Sequence, residues 1–306
     1  MLVEHFIEPC ALAELSKSRR NCKDFIREFS KPSPRVIAAY PKFKNLRRLA
    51  RTAQATTASE QDIERLLELL KFIQDSHLVE RQGLFNGALD VLENLKIEED
   101  HYFNGIHLIA DELNSSKFSH PTLSVQNFES GIDPLSHQVP MPKVVSGFCK
   151  TLGELLRLSK EITIVDPYFS TQPGVWKVFL ALMEIAVIDS PVNEKSVHVL
   201  FDSEKNKKNG RPCRYLKEQL IKEDTKWLTE GVNITFKDVR ENGREATHNR
   251  YIITELGAVS IPYGLQETNE HEVDDVTLLS VELYNKRFKQ YCELEGVELV
   301  DQASIG

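Results

Sequence analysis

The segment running from Lys160 to about Tyr263 constrains the fold more than any other, because short apolar runs and helical runs alternate in it at regular spacing. Ile162-Thr163-Ile164-Val165 has the β-branched character of a buried strand, and Asp166-Pro167 ends it, since proline has no N–H to continue a ladder. Trp176 to Val187 reads as a helix behind it and Val197 to Phe201 as the next strand. Leu216 to Thr229 follows as an amphipathic helix and Val232 to Asp238 as a further strand. Tyr251-Ile252-Ile253 and Ala258 to Tyr263 then read as two strands joined at Leu256-Gly257. Strands alternating with helices bury a sheet on both faces, so the expected class is α/β or α+β.

The stretch EATHNRYIITELGAVSIPYGLQE, residues 245–267, is where chemistry concentrates. His248 and Arg250 are two residues apart, so on a pleated strand they share a face. A guanidinium fork suits the non-bridging oxygens of a phosphate ester, and an imidazole beside it suits attack on phosphorus or proton transfer. Glu255, just past the strand, has the chemistry to orient a ring and fix its tautomer. Against this stands the plain reading that a histidine and an arginine on an exposed strand face are common.

The pattern His-x-Arg-x4-Glu resembles the His-x-Lys-x4-Asp signature of the phospholipase D-like phosphodiesterase superfamily, with charge kept at each change and Gly264 a loose match to the family's later glycine. Leu265 and Gln266 stand where the family has Ser and Asn, and arginine is not equivalent to lysine. The segment KEITIVDPYF with its following helix resembles the opening unit of such a domain. The resemblance implies His248 as nucleophile, Arg250 as phosphate clamp and Glu255 as orienting carboxylate, with no metal or other cofactor. Asp166, Tyr168, Ser170, Asn249 and Gly264 are the expected substrate-binding residues, the first three from the loop at the carboxyl end of the strand. Only one copy of the motif is present, so a two-histidine site implies a homodimer.

Residues 1–115 read as a mainly helical domain preceding this sheet. Cys10 to Phe29 and Pro41 to about Ala55 carry apolar residues at helical spacing, and Lys31-Pro32-Ser33-Pro34 ends the first run. Glu60 to Asp75, capped by Ser59, is the strongest helix in the chain, and Leu84 to Leu95 and Tyr102 to Leu113 offer two more. Residues 116–143, rich in Ser, Pro and Gly, read as a linker or a long loop carrying Thr122 to Phe128 as a strand, which leaves 144–306 as the phospholipase D-like domain. A helix opens that domain, and Leu278 to Leu283 with Tyr284 to Leu294 closes it as strand and helix. The acidic run Glu267, Glu270, Glu272, Asp274, Asp275 reads as non-rigid, and the loop from Ser203 to Cys213 as mobile.

Composition bounds the partners. With 41% hydrophobic and 27% charged residues the chain is an ordinary globular one. No apolar run approaches the roughly 20 residues that span a bilayer, and the amino terminus does not read as a secretory signal. Five widely spread cysteines, an odd number, fit a reduced cytoplasmic compartment, and neither they nor the nine histidines form a metal-ligand pattern. Net charge is -8, yet Lys17 to Arg51 holds twelve Lys or Arg against Asp24 and Glu28. Such a block suits phosphates, and equally a solvated helix face. The expected function is a metal-independent phosphodiesterase, most readily a nuclease, with nucleic acid and a second copy of the chain as partners. Two alternatives stand beside it: a non-catalytic binding or assembly module for nucleic acid, phosphate or membrane lipid, and a defence component activated by a partner protein held through the helical half.

Overall fold

A computed structural model describes residues 2–31, 33–54, 58–100, 103–130, 135–188, 190–206, 208–223, 225–229, 231–241 and 249–306. These fall into two compact units, Leu2–Leu135 and Ser136–Gly306, of mixed α/β character.

The first unit is built on a four-stranded parallel sheet of order β2-β1-β3-β4, formed by β1 (Val3–Ile7), β2 (Arg35–Ile37), β3 (Ile106–Ile109) and β4 (Thr122–Ser124). Its helices are α1 (Pro9–Ser16), α2 (Arg19–Phe29), α3 (Phe43–Gln54), α4 (Glu60–Asp75), α5 (Val91–Glu99) and α6 (Val125–Ser130). One cluster joins Ile7 and Leu108 to Leu12, Phe25, Leu46, Leu66, Leu70 and Ile73 of the helices. A second gathers Phe6, Ala38, Tyr40, Leu95 and Phe103. Such two-sided covering is what a parallel sheet requires.

This half is therefore not helical throughout. The Cys10–Phe29 run breaks at Lys17-Ser18, where Ser18 accepts the Asn21 N–H and starts a new helix. The segment Tyr102 to Leu113 contains a strand in place of a helix, because a short run such as Ile106-His107-Leu108-Ile109 fits either period and its neighbours decide. The stretch read as a linker holds β4 and α6. By contrast α4 covers the expected span, with Ser59 and Asp62 forming a reciprocal capping box.

The second unit carries an eight-stranded sheet of order β12-β8-β7-β6-β9-β10-β11-β5. In chain order its elements are β5 (Gln138–Pro142), α7 (Val145–Leu158), β6 (Glu161–Val165), α8 (Pro173–Val187), β7 (Lys195–Phe201), α9 (Cys213–Lys222), β8 (Val232–Glu241), β9 (Tyr251–Thr254), β10 (Ala258–Ser260), β11 (Val273–Leu278), α10 (Val281–Tyr291) and β12 (Val297–Ile305). β6, β7 and β8 are parallel, whereas β9 runs antiparallel to β6 with Val165 opposite Tyr251. Phe169, Phe179 and Phe236 pack together and bring α8 onto one face of the sheet. Tyr284 and Tyr291 of α10 cover Val165, Leu200, Tyr251 and Ile253 on the other. No described helix is long and apolar enough to cross a membrane.

The acidic run is ordered here, contrary to expectation. Asp274 lies on β11 and is buried, Glu272 pairs with Lys143 at 3.5 Å, and Glu267 pairs with Lys177 at 3.0 Å. Glu267, Glu272 and Asp274 each found a partner that the sequence does not place beside it, Asp274 accepting the Tyr263 N–H.

Candidate functional site at the carboxyl end of the second sheet

The direction of β9 sets the site. Because β9 opposes β6, Arg250, one residue before β9, stands at the carboxyl end of β6 beside Asp166. Its Nε donates to Asp166 Oδ1 at 3.3 Å and its Nη1 to the Pro262 carbonyl at 2.6 Å. The guanidinium carbon lies 5.1 Å from the centre of the Tyr168 ring. Among the described residues Nη2 has no hydrogen-bond partner, and the side chain keeps 20% exposure. A planar fork with an open donor at a strand end is suited to one oxygen of an anion.

The carboxylate opposite is strongly constrained. Asp166 is buried, which pushes its carboxyl up from the usual range, while Arg250 and the N–H groups of Tyr168 and Leu265 pull it back. Its Oδ1 also accepts the Tyr168 N–H at 3.0 Å, so one group orders both the guanidinium and the loop carrying the ring. Gly264 has φ of +68°, and a side-chain carbon there would collide with Asp166 Oδ2 and lie 2.6 Å from Arg250 Cδ. Only glycine lets the turn close over this pair without displacing it.

The other expected residues divide. Asn249 is exposed and donates to the Tyr251 hydroxyl at 3.3 Å. Ser170 is buried, its hydroxyl accepting the Gln172 N–H at 3.5 Å ahead of α8. His248 lies outside the described residues. Glu255 stands past the far end of β9, where its carboxylate accepts the N–H groups of Lys160 at 2.6 Å and Glu161 at 3.0 Å at the start of β6. The four residues of β9 lie between it and Arg250, about 16 Å along the strand.

Several groups at the same end were not singled out from the sequence. Tyr263 is 64% exposed, its N–H reaches Asp274 Oδ2 at 3.4 Å, and Lys143 Nζ lies 4.8 Å over its ring. Burial pushes the Asp274 carboxyl up, with Lys143, the Tyr263 N–H and Arg250 drawing it down. Further along the edge, Arg240 pairs with Asp238 at 2.5 Å and Asp202 at 3.2 Å. Asn206, in the loop expected to be mobile, is buried and donates to the Tyr168 carbonyl at 3.0 Å. The pairing of Lys143 with Glu272 spans more than a hundred residues and has no local signature; the tyrosine between proline and glycine in SIPYG is the signal the sequence offers.

In the first unit the basic block splits in two. Arg20 and Arg27 pair with Asp24 on α2, at 3.5 and 2.9 Å, whereas Lys44, Arg47, Arg48 and Arg51 are exposed on α3. Among the described residues no group of three or more His, Cys, Asp or Glu is placed to hold a metal. Burial pushes the Cys213 thiol up to about 12 and those of Cys10 and Cys22 to about 11, the reverse of what a nucleophile needs.

No protein-family model matches the chain, and no curated protein matches it. Among solved structures, phosphatidylserine synthase from Haemophilus influenzae aligns at 11% identity and a TM-score of 0.29, over 81% of this chain and 49% of that one. The chain thus spans about half the length of that enzyme. TrmBL2, an archaeal chromatin protein described as showing a novel mode of DNA binding, aligns at 14% identity and a TM-score of 0.29, over 85% of this chain and 83% of that one. Neither score reaches the level at which a common fold follows, so the functional reading rests on the site.

Proposed function

We propose that the carboxyl end of the second sheet binds a phosphodiester, and that the chain is a metal-independent phosphodiesterase acting on nucleic acid. The observation that carries this reading is Arg250, held by Asp166 and the Pro262 carbonyl at the strand end, with no partner for Nη2 among the described residues. In this reading Arg250 grips the non-bridging oxygens, and His248, two residues earlier, attacks phosphorus. An imidazole from a second copy of the chain gives its proton to the leaving oxygen, and water then releases the phosphate from His248. The test is cleavage of labelled single- and double-stranded DNA and RNA in EDTA. Metal-free cleavage that disappears in His248→Ala supports the enzyme; no cleavage by the intact chain removes it.

One observation favours a second reading. The Glu255 carboxylate is committed to two backbone N–H groups at the opposite end of β9. Of the motif's three groups, Arg250 alone among the described residues stands at the open end. A binding module that holds a phosphate through Arg250 without cutting it fits that arrangement, and retained binding without cleavage is its signature.

A further inference from the structure

The Arg250 site is flanked by two tyrosines that stand partly out of the unit's surface. Tyr168 follows β6 and is 36% exposed; Tyr263 follows β10 and is 64% exposed. Both belong to the loops that meet at Arg250, since Tyr168 lies under the guanidinium and Pro262, adjoining Tyr263, accepts its Nη1. Large aromatics standing out of a folded surface favour water exclusion by a partner.

Neither loop is loose. Tyr168 is fixed at both backbone groups, its N–H by Asp166 at 3.0 Å and its carbonyl by Asn206 at 3.0 Å. Tyr263 is fixed through its N–H by buried Asp274, and the turn beyond it is closed by Gly264. Each ring has a cation on it, Arg250 at 5.1 Å from Tyr168 and Lys143 at 4.8 Å from Tyr263. Lys143 is itself buried and tied to Glu272. Two anchored rings, each with a positive charge on it and surface left open, carry the pairing of groups that single-stranded nucleic acid uses: a flat face for a base and a cation for the adjoining phosphate.

We infer that Tyr168 and Tyr263 form a stacking platform for unpaired bases of a single-stranded nucleic acid whose phosphate is held at Arg250. The inference rests on the phosphate-binding reading above and names the class of substrate for that site. Duplex is disfavoured because its bases are already stacked and paired, so the rings have no face to take. A rigid ring loses little conformational freedom on binding, which is the advantage of pinning both loops beforehand.

The experiment measures fluorescence anisotropy in EDTA on the full chain carrying His248→Ala, so that nothing is cut. The probes are a labelled mixed-sequence single strand, the same length of abasic strand, and the matching duplex. Single strand binds tightest to the otherwise unchanged protein. Tyr168→Ala and Tyr263→Ala each weaken it by about 5- to 150-fold, the range for one stacked base, and Tyr→Trp at either position keeps it. Either Ala variant weakens the single strand much more than the abasic strand, which has no base to lose from the ring. Arg250→Gln weakens single and abasic strands alike.

Equal affinity for single and abasic strands in the unaltered rings, or an Ala variant that weakens both strands equally, overturns the platform and leaves the phosphate site standing. Abasic binding that is indifferent to Arg250→Gln overturns the phosphate site itself. Affinity for duplex at or above that for single strand overturns the assignment of substrate.

Discussion

Two arginines in this chain have the same kind of company, a carboxylate and an aromatic ring, and opposite situations. Arg81 in the first unit donates through Nε to Glu4 at 2.9 Å and through Nη2 to the other oxygen of the same carboxylate, with the Phe6 and Phe103 rings 5.1 and 5.6 Å away. Both side chains are sealed, at 1% and 0% exposure. Arg250 makes one longer bond to Asp166, stacks on a ring that is itself exposed, and keeps 20% exposure. A two-point pair inside a core has satisfied its charges and serves only the fold. A one-point pair at an open strand end has ordered its cation without exhausting it.

The largest expected effect is on the sealed pair. Arg81→Leu leaves Glu4 buried without its counter-charge and costs about 3–5 kcal/mol in urea unfolding of the full chain. Adding Glu4→Leu recovers most of that loss, because the penalty comes from the orphaned charge and not from the missing contact. A single variant no worse than the double contradicts the sealed description.

Acid sharpens the same contrast. Burial holds His5 at about 3, assisted by Arg35, and burial holds His107 at about 4 against the pull of Glu99. Both sit below the ordinary 6.5, so the unfolded chain takes up the protons first as pH falls. The stability they represent is complete above about pH 6.5 and is lost from there down toward pH 3–4. For His5 the slope is about 1.4 kcal/mol per pH unit within that window. Unfolding midpoints at pH 7.5 and 5 measure it, and a chain equally stable at both contradicts the burial.

At the open site the effects on stability shrink while those on binding grow. Arg250→Gln costs about 1–2 kcal/mol of stability, since Asp166 retains two backbone donors. It weakens a single-stranded oligonucleotide by about 10- to 150-fold, the worth of a charge-assisted hydrogen bond. A large unfolding shift with intact binding reverses the comparison and makes Arg250 a second Arg81. Smallest is Glu255→Gln, about 0.5–1.5 kcal/mol for weakened backbone bonds at the start of β6, with oligonucleotide affinity and any cleavage unchanged. Cleavage abolished by that change restores Glu255 to the chemistry.

What was legible in the chain follows from range. The Glu60–Asp75 helix, the strand ended by Asp166-Pro167, and the hairpin at Leu256-Gly257 are each written in fewer than twenty contiguous residues, as an apolar period, a cap or a turn pair, and the structure contains all three. The candidate site was legible in part: the sequence marked Arg250, Asp166, Tyr168 and Gly264 as residue types fit for an anion, without showing that they meet.

β1 was not legible, because Glu4 and His5 within VEHFI read as polar interruptions. They are tolerated in a buried strand only because Arg81 and Arg35 reach them from 77 and 30 residues away. The alternation of strands and helices therefore determined by itself that this chain builds a covered sheet, since period and punctuation are local properties. Tertiary structure alone decided which charges are spent inside and which remain at the surface. Asp166 and Arg250 are brought together across 84 residues, and the antiparallel run of β9 sends Glu255 to the other end, because strand order and direction are fixed by packing between distant segments.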